Sequence, residues 1–166
     1  MNLKLKSILK GKTIIIGIGN SIRGDDGVGP ELIKELNNSQ LSILRLYSGQ
    51  ALNYQLILLD AGEVPENYLG KVTKLKPDTI LLVDAVDFGR EPGSTRIIDT
   101  EFLSEGGLST HNASLKLSIE YLKKETGANI FLLGIQPQNI TMGSEISYSV
   151  EKKIKEIKEE LTRCMN

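Results

Sequence analysis

The sequence predicts a doubly wound α/β fold, in which a mostly parallel, twisted sheet of about five strands carries helices on both faces. Short apolar runs without polar alternation are typical of strands that are buried on both sides. Amphipathic segments alternate with these runs, as they do where helices connect parallel strands. One more strand candidate follows its predecessor too closely for a helical crossover, which predicts an antiparallel edge strand. The length of 166 residues suits a single domain, which we assign to residues 1–166.

The strands follow from the apolar runs. The first buried strand begins at Thr13, after an irregular lead-in of residues 1–12, and breaks into a glycine-rich loop. The edge strand is separated from Asp84 by nine residues, Ala85 to Gly93, whereas a parallel crossover needs about a dozen or more. The other predicted strands are Gln55–Leu59, Thr79–Val83, the edge strand Ser94–Asp99, and Asn129–Ile135.

The helices are predicted where apolar residues recur at helical spacing. Pro30 is acceptable in the first turn of the first helix, which ends at residues 37–39. The segment Leu41–Asn53 fits either an edge strand or a connection, and its role stays open. The four apolar stripes are Val28-Leu32-Ile33-Leu36, Tyr68-Val72-Leu75, Leu115-Ile119-Leu122 and Val150-Ile154-Ile157-Leu161.

Composition excludes several classes of protein. The formal net charge of −1 gives no basic excess for nucleic acid, and no apolar run predicts insertion into a membrane. The single cysteine, Cys164, excludes a disulfide scaffold or a zinc knuckle and fits a reducing cytoplasm. Because the sequence shows no obvious extra apolar patch, we expect a monomer.

The loop after the first strand ends in two adjacent acids within the stretch TIIIGIGNSIRGDDGVG. Ile22 stands where a dinucleotide fingerprint needs Gly or Ala, and Asp25 and Asp26 stand where a phosphate loop needs Lys and Ser or Thr. Two carboxylates would repel phosphate, so this loop better suits a cation or a reactive water. Alternatively, the acids only cap the next helix, which is the role we assign to Asp25. Gly24 and Gly27 would give Asp26 a bendable mount.

Carboxylates follow three of the predicted buried strands. Asp26, Asp60 and Asp84 each lie at or beyond the carboxyl end of a strand, where open α/β sheets bind ligands. His111, the only histidine, lies in a loop that could fold over the same edge. One imidazole and two carboxylates form an incomplete site for a divalent transition ion, with positions left for water or substrate. The alternative is that His111 is an exposed loop residue beside a helix cap.

Five motifs cover most of the chain from Thr13 onward: GIGNSIRGDDGVGP, DAGEVPEN, VDAVDFGREPGSTRIID, STHN and FLLGIQPQNI. In this order they resemble the endopeptidases that mature NiFe-hydrogenases. DAGEVPEN and GIQP resemble in particular the branch that serves hydrogenase 3-type enzymes. The resemblance implies a protease, conventionally classed as aspartic-type, that removes a C-terminal extension from the precursor of the hydrogenase large subunit after nickel insertion.

The resemblance also implies roles for individual residues. The metal-contacting and catalytic residues fall on Asp26, Asp84 and His111. Because carboxylates and imidazole are weak ligands for nickel compared with thiolates, we expect the precursor's cysteines to supply the nickel, with no organic cofactor. Water would be activated either by a carboxylate base or by the metal, and the sequence leaves this choice open. The implied substrate-binding residues are Asn20, Asp60 and Gly62.

Two other functions fit parts of the pattern. A signalling receiver domain also has acids after its first and third strands, and phosphorylation of Asp84 would support it. However, its acids abut the first strand, whereas Gly19–Gly24 intervene here, and its lysine after the last strand is replaced by Gln136-Pro137. A non-catalytic nickel carrier or assembly chaperone with the same ligands is the second alternative.

Overall fold

The computed structural model describes residues 5–38, 55–100 and 113–165. Within these ranges the sheet has five strands, β1 to β5, which are Lys12–Ile18, Gln55–Gly62, Thr79–Ala85, Thr95–Asp99 and Asn129–Ile135. Their order across the sheet is β2-β1-β3-β5-β4. Strand β4 pairs antiparallel with β5 at one edge, and the other neighbours pair in parallel. The predicted fold class, including its antiparallel edge strand, is confirmed.

Helices cover both faces of the sheet. Described helices α1 to α5 are Leu5–Ile8, Val28–Asn37, Leu69–Leu75, Ala113–Thr126 and Tyr148–Met165. Short 3₁₀ turns at Gly24–Gly27 and Pro65–Tyr68 precede α2 and α3. Successive strand residues point to opposite faces, so Ile15 packs with α1, α2 and α5 while Ile14 packs with α3 and α4. The apolar stripes predicted for the helices lie in these two cores.

The ends of several elements differ from the prediction. The lead-in was expected to be irregular, but residues 5–8 form a helical turn in which Leu5 is fully buried against α5. Strand β2 was expected to end at Asp60 and instead continues to Gly62. An irregularity in its pairing sets Gly17 opposite Asp60 and Ile18 opposite Gly62. The segment Leu41–Asn53 lies outside the described residues.

The start of α2 lies directly against the carboxyl ends of β1 and β3. A Cβ atom on Gly29 would collide with the backbone of Ile18 and with the carbonyl oxygen of Val83. Only glycine permits this approach, which brings the turn before α2 next to both strand ends. None of the helices in the described parts of the chain combines enough length with enough apolar character for a membrane span.

Candidate active site

The candidate site lies at the point where the strand order reverses. The chain adds β2 on one side of β1 and β3 on the other, so β1 and β3 are neighbours with diverging connections. Open α/β sheets bind ligands in the crevice at this point. Asp26, in the 3₁₀ turn after β1, and Asp84, near the carboxyl end of β3, both lie here. The structure therefore brings together two of the predicted site residues.

The carboxyl group of Asp84 is the most perturbed acid of the site. Its pKa is raised to about 7, mainly by burial; a hydrogen bond from the Ala85 backbone N–H opposes this in part, and the negative charge of Asp26 adds a smaller increase. When two carboxylates are neighbours and no cation lies between them, their mutual repulsion favours a proton on one of them. The pair therefore offers either a proton acceptor near neutral pH or a place for a positive charge.

The backbone of the preceding loop orients Asp26. The Asn20 N–H donates to Oδ2 of Asp26 at 3.3 Å, and the Asp26 N–H donates to the carbonyl of Arg23 at 3.2 Å. Gly19 has a φ of 133°, and a Cβ atom there would collide with the carbonyl oxygen of Asp26. Gly19 also donates to the Gly62 carbonyl at 2.9 Å, which joins the loop to the end of β2. The position of Asp26 is thus fixed by its backbone, while its side chain remains half-buried.

Asp25 does not cap the helix, so the role assigned to it from the sequence is wrong. The cap position of α2 is Gly27, without a side-chain cap bond, and Asp25 is fully buried. Its Oδ2 accepts the N–H groups of Gln138 and Asn139 at 2.7 and 3.0 Å. The N–H and hydroxyl of Ser147 donate to its two oxygens at 2.7 and 2.9 Å. Burial of a carboxylate is tolerated when several donors surround it in this way.

The mount of Asp26 is also firmer than the sequence suggests. Gly24 is buried with a φ of 56°, and its N–H donates to the carbonyl of Ser144 at 3.1 Å. The Asp25 N–H donates to the carbonyl of Asn139 at 2.9 Å. These bonds tie the acid loop to residues 136–147, which we call the post-β5 segment. The expectation of a bendable mount is therefore wrong.

The post-β5 segment also braces the loop after Asp84. Oε1 of the buried Gln136 accepts the N–H groups of Phe88 and Arg90 at 2.6 and 3.2 Å. Its Nε2 donates to Oδ1 of Asp87 at 3.0 Å. One segment thus contacts both the loop that carries Asp26, through Asp25, and the loop that follows Asp84, through Gln136.

The predicted substrate-binding residues lie along the same edge. Asp60 is exposed, and its Oδ1 accepts the N–H of Gly62 at 3.0 Å within its own turn. Gly62 has a φ of 55° and open space where a side chain would project. Asn20 uses its Oδ1 to accept the N–H of Ile22 at 3.0 Å. These contacts define the turns but leave the binding role of the three residues a prediction.

The third predicted ligand, His111, lies outside the described residues. Within residues 5–38, 55–100 and 113–165, no group of three or more His, Cys, Asp or Glu is arranged to hold a metal ion. The described part of the site therefore supplies two carboxylates, and a third ligand would have to come from elsewhere.

Comparison with known proteins identifies the family. The model of the hydrogenase maturation proteases, HycI, matches residues 42–164. The chain belongs to this family. A putative hydrogenase maturation protease of Methanocaldococcus jannaschii is 33% identical over 160 residues, covering 90% of each chain. The hydrogenase 3 maturation protease of Escherichia coli is 37% identical over 125 residues, covering 75% of this chain and 72% of the relative.

Solved structures of the family share the fold. A NiFe-hydrogenase maturation protease, HycI, from Thermococcus kodakarensis superposes with a TM-score of 0.81 at 32% identity, and 98% of each chain is covered. This relative therefore shares the fold of the chain over nearly its whole length.

Sequence reasoning missed the two residues that brace the site. From the sequence, Asp25 was given a different role from Asp26 only because the next helix was assumed to need a capping side chain. From the sequence, Gln136 was considered only as the residue that stands where a receiver domain has its lysine. The hydrogen bonds of its side-chain amide were not anticipated. A signal was available for Gln136, because a polar residue directly after a buried strand must satisfy its hydrogen bonds. No local signal existed for Asp25, whose partners lie more than 110 residues away.

Proposed function

We propose that this chain is an endopeptidase that removes the C-terminal extension from the large-subunit precursor of a NiFe-hydrogenase after nickel insertion. Membership of the hydrogenase maturation protease family supports the reaction class. The relative from Escherichia coli is named a hydrogenase 3 maturation protease, which supports a hydrogenase of that type as the source of the substrate. We also propose that the protein acts as a monomer in the cytoplasm.

The observation that carries the proposal is the pair Asp26 and Asp84 at the β1/β3 switch point. Two carboxylates in a partly desolvated crevice leave negative charge that a docked cation would neutralise. The pKa of about 7 at Asp84 further means that this group exchanges protons near neutral pH. Both properties suit a site that meets a metal carried by its substrate and then assists attack of water on a nearby peptide bond.

The nickel belongs to the substrate in this proposal. Carboxylates and imidazole are hard or borderline ligands that compete poorly with thiolates for nickel, so the ion would stay on the precursor's cysteines. Asp26 and Asp84, with His111 as the third contact, would recognise the loaded precursor and align its scissile bond. Asn20, Asp60 and Gly62 would contact the polypeptide on the β2 side of the crevice.

The test is cleavage of nickel-loaded and nickel-free precursor by the wild type and by Asp26→Ala and His111→Ala. The mass of the precursor after incubation reports whether it has been shortened. We expect the wild type to shorten only the loaded precursor, and each variant to lose about 10²–10⁴-fold in rate, the range typical for removal of a positioned catalytic group.

Three outcomes would overturn the proposal. Normal cleavage by His111→Ala, or equal cleavage of both forms of the precursor, would exclude nickel recognition by these residues. Binding of the loaded precursor without any change in its mass would instead favour the assembly-chaperone alternative.

A further inference from the structure

Three apolar side chains beside the acid loop are exposed to solvent. Ile22, Ile140 and Met142 are 61%, 44% and 63% exposed, and we call them the apolar rim. Ile22 belongs to the loop that carries Asp26, and the other two belong to the post-β5 segment. Single exposed apolar residues are common on protein surfaces, so their exposure alone carries no function. Their common position beside the candidate site is the unusual feature.

The backbone bonds that join the two segments bring the rim together. The N–H of Gly143, next to Met142, donates to the carbonyl of Ile22 at 2.7 Å. Asn139, next to Ile140, donates its N–H to the side-chain carboxylate of Asp25, and its carbonyl accepts the Asp25 N–H. The rim therefore comes from paired segments rather than from scattered positions.

The rim is also held in place. The turn that carries Met142 is closed by bonds from the N–H and hydroxyl of Ser144 to the carbonyl of Thr141, at 3.1 and 2.7 Å. The turn that carries Ile22 is closed by its N–H, which donates to Oδ1 of Asn20, and by the Arg23 N–H, which donates to the Asn20 carbonyl. These local bonds, together with the buried Asp25, hold the apolar side chains outward. A preorganised apolar surface binds more tightly because less conformational freedom is lost on contact.

We propose that the apolar rim is the docking surface for an apolar stretch of the hydrogenase precursor next to the peptide bond that is cut. This inference rests on the proposed function. The rim continues from the loop that carries Asp26, so it offers a contact surface for a polypeptide held across that residue. The rim lies on the β5 side of the crevice, so it adds a contact region to the β2-side residues Asp60 and Gly62.

The test compares Ile22→Ser/Met142→Gln with a matched control, Leu117→Gln. Leu117 is 65% exposed on α4, which packs on the opposite face of the sheet from α2, so its substitution removes exposed apolar surface from another face. For cleavage of nickel-loaded precursor we expect the double variant to raise KM at least about tenfold, with kcat changed less than about threefold, because uniform binding is lost. Thermal unfolding should stay within about 2 °C of the wild type for both proteins, as is usual for surface substitutions.

The outcomes separate this inference from the proposed function. If the wild type cleaves and the double variant keeps its KM, the rim does not dock the precursor although the protease assignment stands. A loss confined to kcat would also overturn it, because the rim would then act on the position of Asp26. If the wild type does not cleave, direct binding of labelled precursor decides: weaker binding by the double variant alone supports the rim, and equal binding overturns it.

Discussion

The segments after β1 and after β2 each place an acid at the same edge of the sheet, yet the structure treats them differently. After β1, Asp25 is buried among four donated hydrogen bonds, and Asp26 is set beside Asp84. After β2, Asp60 is exposed and bonded only within its own turn in the described contacts, and Gly62 faces open space. The β1 side of the crevice, which we call the fixed side, therefore holds its charges in a defined geometry, as a metal contact needs. The β2 side, which we call the open side, leaves room for a polypeptide.

The largest expected effect is on catalysis, from substitutions on the fixed side. Asp26→Asn and Asp84→Asn each remove a charge from the pair and should lower kcat/KM for nickel-loaded precursor by about 10²–10⁴-fold. Asp60→Asn removes the same charge from the open side and should cost less than about tenfold. Steady-state cleavage followed by mass spectrometry makes the comparison, and equal losses for Asp60→Asn and Asp84→Asn would remove the distinction between the two sides.

The next effect is on stability, from loss of the buried anchor. Asp25→Ala leaves the N–H groups of Gln138, Asn139 and Ser147 without their acceptor in three part-buried hydrogen bonds, and a donor that loses its partner away from water costs about 1–3 kcal/mol. We expect the free energy of unfolding in urea to fall by about 3–5 kcal/mol. The matched change Asp60→Ala should cost less than about 1 kcal/mol, since its group is exposed. A loss below about 1 kcal/mol for Asp25→Ala would show that the anchor is unimportant for folding.

A pH-dependent effect on stability follows from Asp84. Its pKa rises from 3.8 to about 7 on folding, so between these values the folded state keeps a proton that the unfolded state releases. The stability that Asp84 contributes is therefore full below about pH 4 and is lost as the pH rises through about 7. Relative to the wild type, Asp84→Asn should gain about 2–4 kcal/mol between pH 4 and pH 8. Urea unfolding across this range measures the difference, and a constant difference would contradict the perturbed acid.

The smallest expected effect is on substrate affinity from the open side. Asp60→Ala should raise KM about two- to fivefold and leave kcat unchanged, because an exposed contact contributes to binding without entering the reaction. The rates come from the same cleavage assay. A fall in kcat that matches that of Asp26→Asn would place Asp60 in the chemistry rather than in binding.

Much of the fold could be predicted because its signals are local. The unbroken apolar runs of β1, β3 and β5 identified a parallel sheet, and the short link after Asp84 identified the antiparallel strand β4. The ends of elements were predicted less well. The turn around Leu5 forms because that side chain is buried against α5, and no pattern within residues 1–12 signals that contact.

The candidate site was predicted only in part, for a physical reason. Parallel strands bring their carboxyl ends to one edge, so Asp26 and Asp84 could be placed together from the strand pattern alone. Asp25 has the same side chain as its neighbour, and its role depends on donors that lie 113 to 122 residues away in the sequence. Only the folded structure shows which of the two acids turns inward.

The switch point joins Asp26 and Asp84 into one like-charged pair, in which burial acts on Asp84. The most direct measurement is a titration of the Asp84 carboxyl carbon by NMR in the wild type and in Asp26→Asn. We predict a pKa near 7 in the wild type and a lower value in the variant, with part of the elevation remaining because burial is its larger cause. A wild-type pKa close to the ordinary value of 3.8, or one unchanged by Asp26→Asn, would contradict the claim.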